Sequence, residues 1–231
     1  MKRLAVIPAR GGSKRIPRKN IRDFAGRPII GWSIATALDS GLFDTVMVST
    51  DDAEIAAVAE AAGASVPFLR SAATSDDHAT LVQVMGEVIA AYADQGRAFD
   101  AVCCILPTAP LLTAARLAEG AEMFASGRFD SVFPVVPFPA PIQRALRRDS
   151  DGMAAMFQPE HYLSRSQDLE PAYHDAGQFY WASAASWRGQ RPVFSGRAGL
   201  IVLDPMEAQD IDTEADWRLA ELKHGLRLGA A

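Results

Sequence analysis

Cysteine is nearly absent from this chain: there are two, Cys103 and Cys104, side by side in an apolar run. Neighbouring thiols are poorly placed to join distant segments, and a single pair makes no disulfide framework. A reducing cytoplasm is the simpler expectation. Long apolar runs are missing too. No stretch reaches the roughly 18 apolar residues of a membrane helix, and the apolar run behind Met1-Lys2-Arg3 is too short for a signal peptide. Basic charge is not in surplus. A net charge of −5 argues against nucleic acid as a partner, because its binders carry a basic face. Two familiar nucleotide loops are also lacking. Lys14 is followed by Arg15, which breaks a Walker loop, and Arg15 stands where a dinucleotide fingerprint needs its third glycine. A P-loop kinase and a dehydrogenase are both disfavoured.

What is present is an apolar content of 49% over 231 residues, enough to bury a sizeable core in one α/β domain spanning 1–231. The charge is unevenly spread. Arg10, Lys14, Arg15, Arg18, Lys19 and Arg22 place six cations within thirteen residues with no acid among them, which leaves the rest of the chain at −11. One cationic spot on an acidic body suits a small anionic ligand better than a polymer.

Leu4–Pro8, Thr45–Thr50, Val66–Leu69, Ala101–Leu106 and Ser131–Val136 read as short buried strands. Between them lie helical patterns from Pro28 to Leu38 with Gly41 as its stop, Asp51–Ala62 capped by Asp51 or Asp52, Thr80–Ala93 and Thr113–Ala125. Strand and helix in alternation imply a parallel sheet covered on both faces. The pattern breaks at Pro137. From about 138 to 175 the chain is polar and Pro-rich, with weak alternation at Met153–Phe157, and reads as an inserted segment holding a hairpin. Gln178–Ala182 and Leu200–Leu203 return to strand, and Thr213–Lys223 forms the final helix.

The loop after the first strand, Pro8-Ala9-Arg10-Gly11-Gly12-Ser13-Lys14-Arg15-Ile16-Pro17-Arg18-Lys19-Asn20, has the chemistry of a phosphate site. Gly11 and Gly12 permit a sharp turn and close approach of backbone N–H groups to an anion. The loop leaves the carboxyl end of a strand, where open α/β sheets bind ligands. Late in the chain, Asp210-Ile211-Asp212 puts two carboxylates on one side of an extended segment with Ile211 turned to the core. Such a pair suits Mg2+. Its second half also reads as a helix start, with Thr213 and Asp216 as a capping box.

These segments resemble the CMP-sialic acid synthetase (acylneuraminate cytidylyltransferase) family. The loop 7–20 meets every position of that family's Pro-Ala-Arg-Gly-Gly-Ser-Lys-x-x-Pro-x-Lys-Asn signature, and Gln209–Trp217 is similar to its C-terminal motif. Leu106-Pro107-Thr108-Ala109-Pro110 resembles the family's Leu-Gln-Pro-Thr-Ser-Pro turn, with Leu106 in place of the glutamine and Ala109 in place of the serine. Arg165-Ser166-Gln167-Asp168-Leu169 and His174-Asp175-Ala176-Gly177-Gln178-Phe179-Tyr180 look like the family's sugar-binding region, the second most like the pseudaminic acid branch.

The resemblance implies a three-layer α/β/α, Rossmann-like nucleotidyltransferase fold with a mixed, mainly parallel sheet. It also implies a homodimer in which the 138–175 insertion reaches the partner's site. The implied reaction moves CMP from CTP to an acidic nine-carbon sugar. Arg10, Gly11, Gly12, Ser13, Lys14, Lys19 and Asn20 would hold the nucleotide, with Asp77 and Thr80 near base and ribose. Lys14, Lys19, Asp210 and Asp212 would be catalytic, with Mg2+ on the two aspartates. Arg165, Gln167, Asp168, Asp175 and Gln178 would meet the sugar. Cytidylyltransferases for N-acetylneuraminic acid, legionaminic acid or the eight-carbon acid KDO, and a nucleotide-binding module without catalysis, stand as alternatives.

Overall fold

Alternate residues of the apolar strands must face opposite sides of a sheet, and two separate cores result. The computed structural model describes residues 1–76 and 79–229, with side chains as far as Arg227. In chain order the elements are β1 (Arg3–Pro8), β2 (Asp23–Phe24), β3 (Arg27–Pro28), α1 (Ile30–Asp39), β4 (Thr45–Ser49), α2 (Ala53–Ala61), α3 (Leu81–Asp94), β5 (Ala101–Ile105), α4 (Ala114–Ala125) and β6 (Ser131–Pro137). There follow β7 (Leu146–Arg148), β8 (Ala154–Met156), β9 (Tyr173–Asp175), β10 (Phe179–Ser183), α5 (Ala184–Arg188), β11 (Ala198–Val202) and α6 (Glu214–Gly229).

The main sheet runs β11-β6-β10-β5-β1-β4, with β9 added to β6. β1 is parallel to β4 and β5, and β11 is parallel to β6, while β10 runs antiparallel between β5 and β6. Ala5 and Ile7 of β1 pack with Ile30 and Ile34 of α1, Ile55 of α2 and Leu117 of α4. Leu4 and Val6 pack on the other face with Met85, Val88 and Tyr92 of α3 and Trp187 of α5. Helix, sheet, helix is the expected three-layer arrangement. Within α4, Gly120 is required by close approach: a Cβ there would stand 2.8 Å from Phe179 and Trp181 ring atoms.

Several expectations need correction. Val66–Leu69 is not a strand. Pairing stops at the single bridge Met47–Ser65, and Pro67 withholds a donor that a ladder would need. The final helix extends past Lys223 to Gly229. The insertion ends earlier than 175, because Tyr173–Asp175 pairs with β6 in the main sheet. Its hairpin exists as β7–β8, with Leu146 opposite Met156. The short helix α5 gave no periodic signal, since Ser183 caps only five residues.

A third apolar cluster positions the site. Ile16 of the cationic loop, Phe24, Ile29, Ile211 and Trp217 are all buried together. The loop after β1 and the segment before α6 therefore share one core, and Ile211 faces inward as its spacing predicts. His224 of α6 adjoins this cluster at 6% exposure, edge-on to Phe24 and Trp32. Burial, reinforced by Arg227 and Arg27, holds its imidazole below the usual pKa. The unfolded chain, with a His pKa near 6.5, then binds the extra proton first. His224 thus contributes stability above about pH 6.5 that is lost as pH falls through its lowered folded value. The melting temperature should drop between pH 7.5 and 5.5, and His224→Gln should shrink that drop; an unchanged drop in the variant would exclude His224 as its source.

Candidate active site

Pro8 ends β1 at the carboxyl edge of the sheet, and the chain turns at once against the start of α2. Gly11 N–H donates to Asp51 Oδ1 at 3.0 Å. A Cβ on Gly11 would lie 2.6 Å from Asp52 Oδ2, so this glycine is demanded by contact with a neighbouring side chain. Ser13 N–H turns back to Gly11 O. Those two amides are thus satisfied within the chain, and the anion-facing capacity of the turn rests more on its side chains than the glycine pair alone implies.

The six cations divide by role. Arg18 pairs with Asp52 and Glu54, while Asp52 also caps α2 through Glu54 N–H and Ile55 N–H. The Arg18 guanidinium holds the Asp52 carboxyl below the usual carboxylate range. Arg22 pairs with Glu214 at 2.5 Å and lies over Trp217. These two cations fasten the loop to the body. Arg10, Lys14, Arg15 and Lys19 instead line a cleft of about 300 Å3 together with Ser13 and Asn20. Asn20 is buried and donates to Arg10 O at 3.0 Å, which anchors the base of the turn. Arg10 also reaches Asp76 O at 3.3 Å.

Asp210 and Asp212 form the opposite wall of the same cleft, with Leu106, Pro107 and Thr108 from the turn after β5. Lys19 Nζ donates to Ile211 O at 2.6 Å and stands 3.8 Å from Asp212 Oδ1. Arg15 pairs with Asp212 at 2.7 Å. The glycine-bearing turn and the late aspartates therefore converge across nearly two hundred residues. Burial pulls the Lys19 ammonium below its usual pKa, with Asp212 and Asp210 opposing. Burial and then Asp212 raise the Asp210 carboxyl, with Lys19 opposing. Among the described residues no cluster of three or more acidic, histidine or cysteine side chains is poised as a metal cage. Thr213 and Asp216 do make the expected reciprocal cap, Thr213 N–H to Asp216 at 2.8 Å and Asp216 N–H to Thr213 Oγ1 at 3.3 Å. Capping thus occupies Thr213 and Asp216 and leaves Asp210 to other work.

A second cavity, about 590 Å3, opens on the far side of Asp210 and Asp212. Val136, Pro137, Phe138 and Ala176 give it an apolar wall, and His174 and Asp175 face it from β9. The Tyr180 hydroxyl donates to Asp175, whose other oxygen accepts Gly177 N–H at 3.1 Å. Burial, with Asp175 adding, pushes the Tyr180 phenol well up, so it stays protonated as that donor.

The remaining expected site residues lie elsewhere. Arg165 and Asp168 pair with each other at 2.7 Å on the surface, and Gln167 sits exposed between them; none lines either cavity. Gln178 is buried, donating to Glu207 O at 2.7 Å, and lines neither cavity. Thr80 spends its hydroxyl on the cap of α3 in a box with Gln83. Gly12 lines neither cavity and has open space around its Cβ position. Asp77 falls outside the described residues.

Sequence reasoning missed two groups. Arg70 donates to Ser49 O at 2.6 Å and Thr74 O at 3.4 Å, half-buried and within electrostatic reach of Arg10. Lys223 saturates its three N–H bonds on Pro205 O (2.8 Å), Ala208 O (2.7 Å) and Gln209 Oε1 (3.0 Å), stapling the segment that leads into Asp210 onto α6. The available signal was its seven-residue distance from Asp216, which puts both on one helix face. Lys223→Met removes three charge-assisted hydrogen bonds and should lower kcat about tenfold, some 1.4 kcal/mol of barrier, with Lys223→Arg recovering part of it; full activity in Lys223→Met would show that the staple does not position Asp210.

Comparison with known proteins names the family. The cytidylyltransferase family matches residues 4–209. The chain is 44% identical to pseudaminic acid cytidylyltransferase of Campylobacter jejuni over 222 residues, covering 96% of each. It is 34% identical to CMP-N,N'-diacetyllegionaminic acid synthase of Legionella pneumophila, covering 96% of this chain and 95% of that one. Among solved structures, CMP:2-keto-3-deoxy-manno-octonic acid synthetase complexed with CTP superposes with a TM-score of 0.71 over 98% of this chain and 100% of that one, at 17% identity, a likeness of fold. With a cationic turn, a facing pair of carboxylates and this agreement along its length, the chain belongs to the cytidylyltransferase family.

Proposed function

We propose that this chain transfers CMP from CTP to a nine-carbon acidic sugar, pseudaminic acid or a close nonulosonic relative, and releases pyrophosphate. The observation that carries the reading is the cleft in which Arg10, Lys14, Arg15 and Lys19 face Asp210 and Asp212, with a larger, partly apolar cavity beyond the same aspartates. The 44% identity to a pseudaminic acid cytidylyltransferase supports that sugar over the alternatives.

The nucleotide lies in the smaller cleft, its triphosphate against the cations and Ser13. The sugar enters the larger cavity, where its anomeric hydroxyl meets the α-phosphate in line. The new bond joins that oxygen to the α-phosphorus, the bond from the α-phosphorus to the oxygen bridging to the β-phosphate breaks, and the hydroxyl proton passes to solvent water. Lys14 and Lys19 hold the departing pyrophosphate. Positioned charge of this kind supplies most of the acceleration in phosphoryl-type transfers. Asp175, fixed by Tyr180 and Gly177, orients a sugar hydroxyl.

Asp210 and Asp212 fit a divalent cation. Asp210 is crowded by Asp212 and Asp175, and two carboxylates with room for water and phosphate oxygens are the donor set that Mg2+ favours. When bound there, the ion offsets charge growing on the transferring phosphate. Arg15 and Lys19, which pair with Asp212 in the free protein, exchange that partner for phosphate.

The proposal extends to assembly. Leu146, Met153, Phe157, Tyr162 and Leu163 of the insertion are exposed, Leu163 at 87%. Apolar surface of this extent marks a contact face, and a second copy of this chain is the partner we assign. Among the described residues no helix is long and apolar enough to cross a membrane.

Supplied with CTP, Mg2+ and a panel of pseudaminic, legionaminic, N-acetylneuraminic and KDO acids, the protein should release pyrophosphate with the highest kcat/KM for pseudaminic acid. Nucleotide binding without pyrophosphate release on any of them would point to a non-catalytic module. Asp210→Asn should cut kcat by about a hundredfold, the scale of losing one electrostatic stabiliser. Because folding raises the Asp210 pKa, its charge is unfavourable at pH 7, so the same variant should melt no lower than wild type. Retained turnover at saturating Mg2+ would remove Asp210 from the mechanism.

A further inference from the structure

A third cleft, about 330 Å3, shares no residue with the two cavities at Asp210. It is formed where β3, α1 and α6 meet, and Arg27, Trp32, Thr36, Asp39, His224 and Arg227 line it. Arg27 is its unexplained member. The guanidinium lies over the Trp32 ring, 3.5 Å from its centroid, and among the described residues its buried Nε meets no hydrogen-bond partner. Burial lowers its pKa, and Asp39 opposes this only through longer-range attraction. A desolvated donor left unpaired is costly, and more so when charged. Arg27 also lines the open cleft, where an incoming acceptor can meet its guanidinium.

Its surroundings are built for an anion. Arg227, from a different element, enters the same cleft and is steadied by donating Nη1 to Leu111 O at 2.5 Å. His224 registers both guanidiniums, since Arg227 and Arg27 each help to hold its pKa down. Against two positive charges stands, among the described lining residues, one carboxylate, Asp39, exposed at the cleft's edge. Asp39 can accept from the hydroxyl of a partly protonated phosphate. Two guanidiniums presented from separate elements suit a tetrahedral oxyanion, which accepts hydrogen bonds from several directions. The aromatic platform of Trp32 keeps the Arg27 fork from collapsing outward and gives cation–π support while the site is empty.

We propose that this cleft is a second anion site, distinct from the nucleotide cleft, that binds a phosphate-bearing small molecule through Arg27 and Arg227. The site does not depend on the sugar or the reaction assigned above. It abuts the cluster that buries Ile16 and Ile211, because Trp32 packs against that cluster.

The test is a calorimetric titration of inorganic phosphate, and separately of pyrophosphate, into the full chain saturated with CTP so that the nucleotide cleft is filled. One saturable site per chain is expected for at least one of the two anions. Arg27→Met keeps an unbranched chain on Trp32 and should weaken that binding about tenfold or more. It should leave kcat and the KM for CTP in phosphate-free buffer unchanged. Arg227→Met, which leaves Arg27 and its ring contact in place, should weaken it likewise. Preference for phosphate or for pyrophosphate separates a general phosphate site from one that senses the reaction's own product. Absence of any saturable binding in the CTP-filled wild type would overturn the proposal, as would wild-type affinity in a folded Arg27→Met.

Discussion

The architecture depends on one junction: the hold of the cationic turn on the segment that carries the paired aspartates. Lys19 grips Ile211 O at 2.6 Å and faces Asp212, while Ile16 and Ile211 are buried in one apolar cluster with Trp217. Apolar burial supplies the bulk of the attraction and has no directional preference. The lysine-to-carbonyl bond and the Arg15–Asp212 pair fix the register. Without that junction the cations and carboxylates would decorate two separate loops at the sheet edge.

The junction also places opposite charges where each would be uncomfortable alone. Asp210 carries a raised pKa from burial and like charge, and Lys19 a lowered one from burial. Perturbed groups converging in a cleft are a signature of function. The free protein tolerates the arrangement because each charge partly offsets the other. In the proposed complex a triphosphate and a divalent cation would add one of each sign and relieve both.

Much of this was legible from the chain. The strands β1, β4, β5 and β6 are uninterrupted apolar runs, so the sheet could be read directly, and the Arg10–Asn20 loop and the Asp210–Asp212 pair were marked by charge and spacing. Long-range partnership was not legible. Nothing near Arg18 or Arg22 distinguishes them from Arg15, yet Asp52, Glu54 and Glu214 turn the first two into fasteners. Lys223 reads as one more exposed helix cation until the carbonyls of Pro205 and Ala208 are brought beneath it. Val66–Leu69 looked like a strand because branched and aromatic residues dominate it, and Pro67 decided otherwise. The Arg165–Asp168 pair resembles a sugar-binding motif, but within one copy of the chain it lies on an exposed turn away from both cavities. A second copy bound through the insertion is the arrangement that would give it a site to serve.

The most direct test of the central claim is a crystal structure of the protein with a non-hydrolysable CTP analogue and Mn2+, read by anomalous scattering. One metal peak is expected between Asp210, Asp212 and the triphosphate, with Lys14 and Lys19 on the phosphate oxygens. A triphosphate seated away from residues 10–20, or a metal peak that avoids both aspartates, would contradict it.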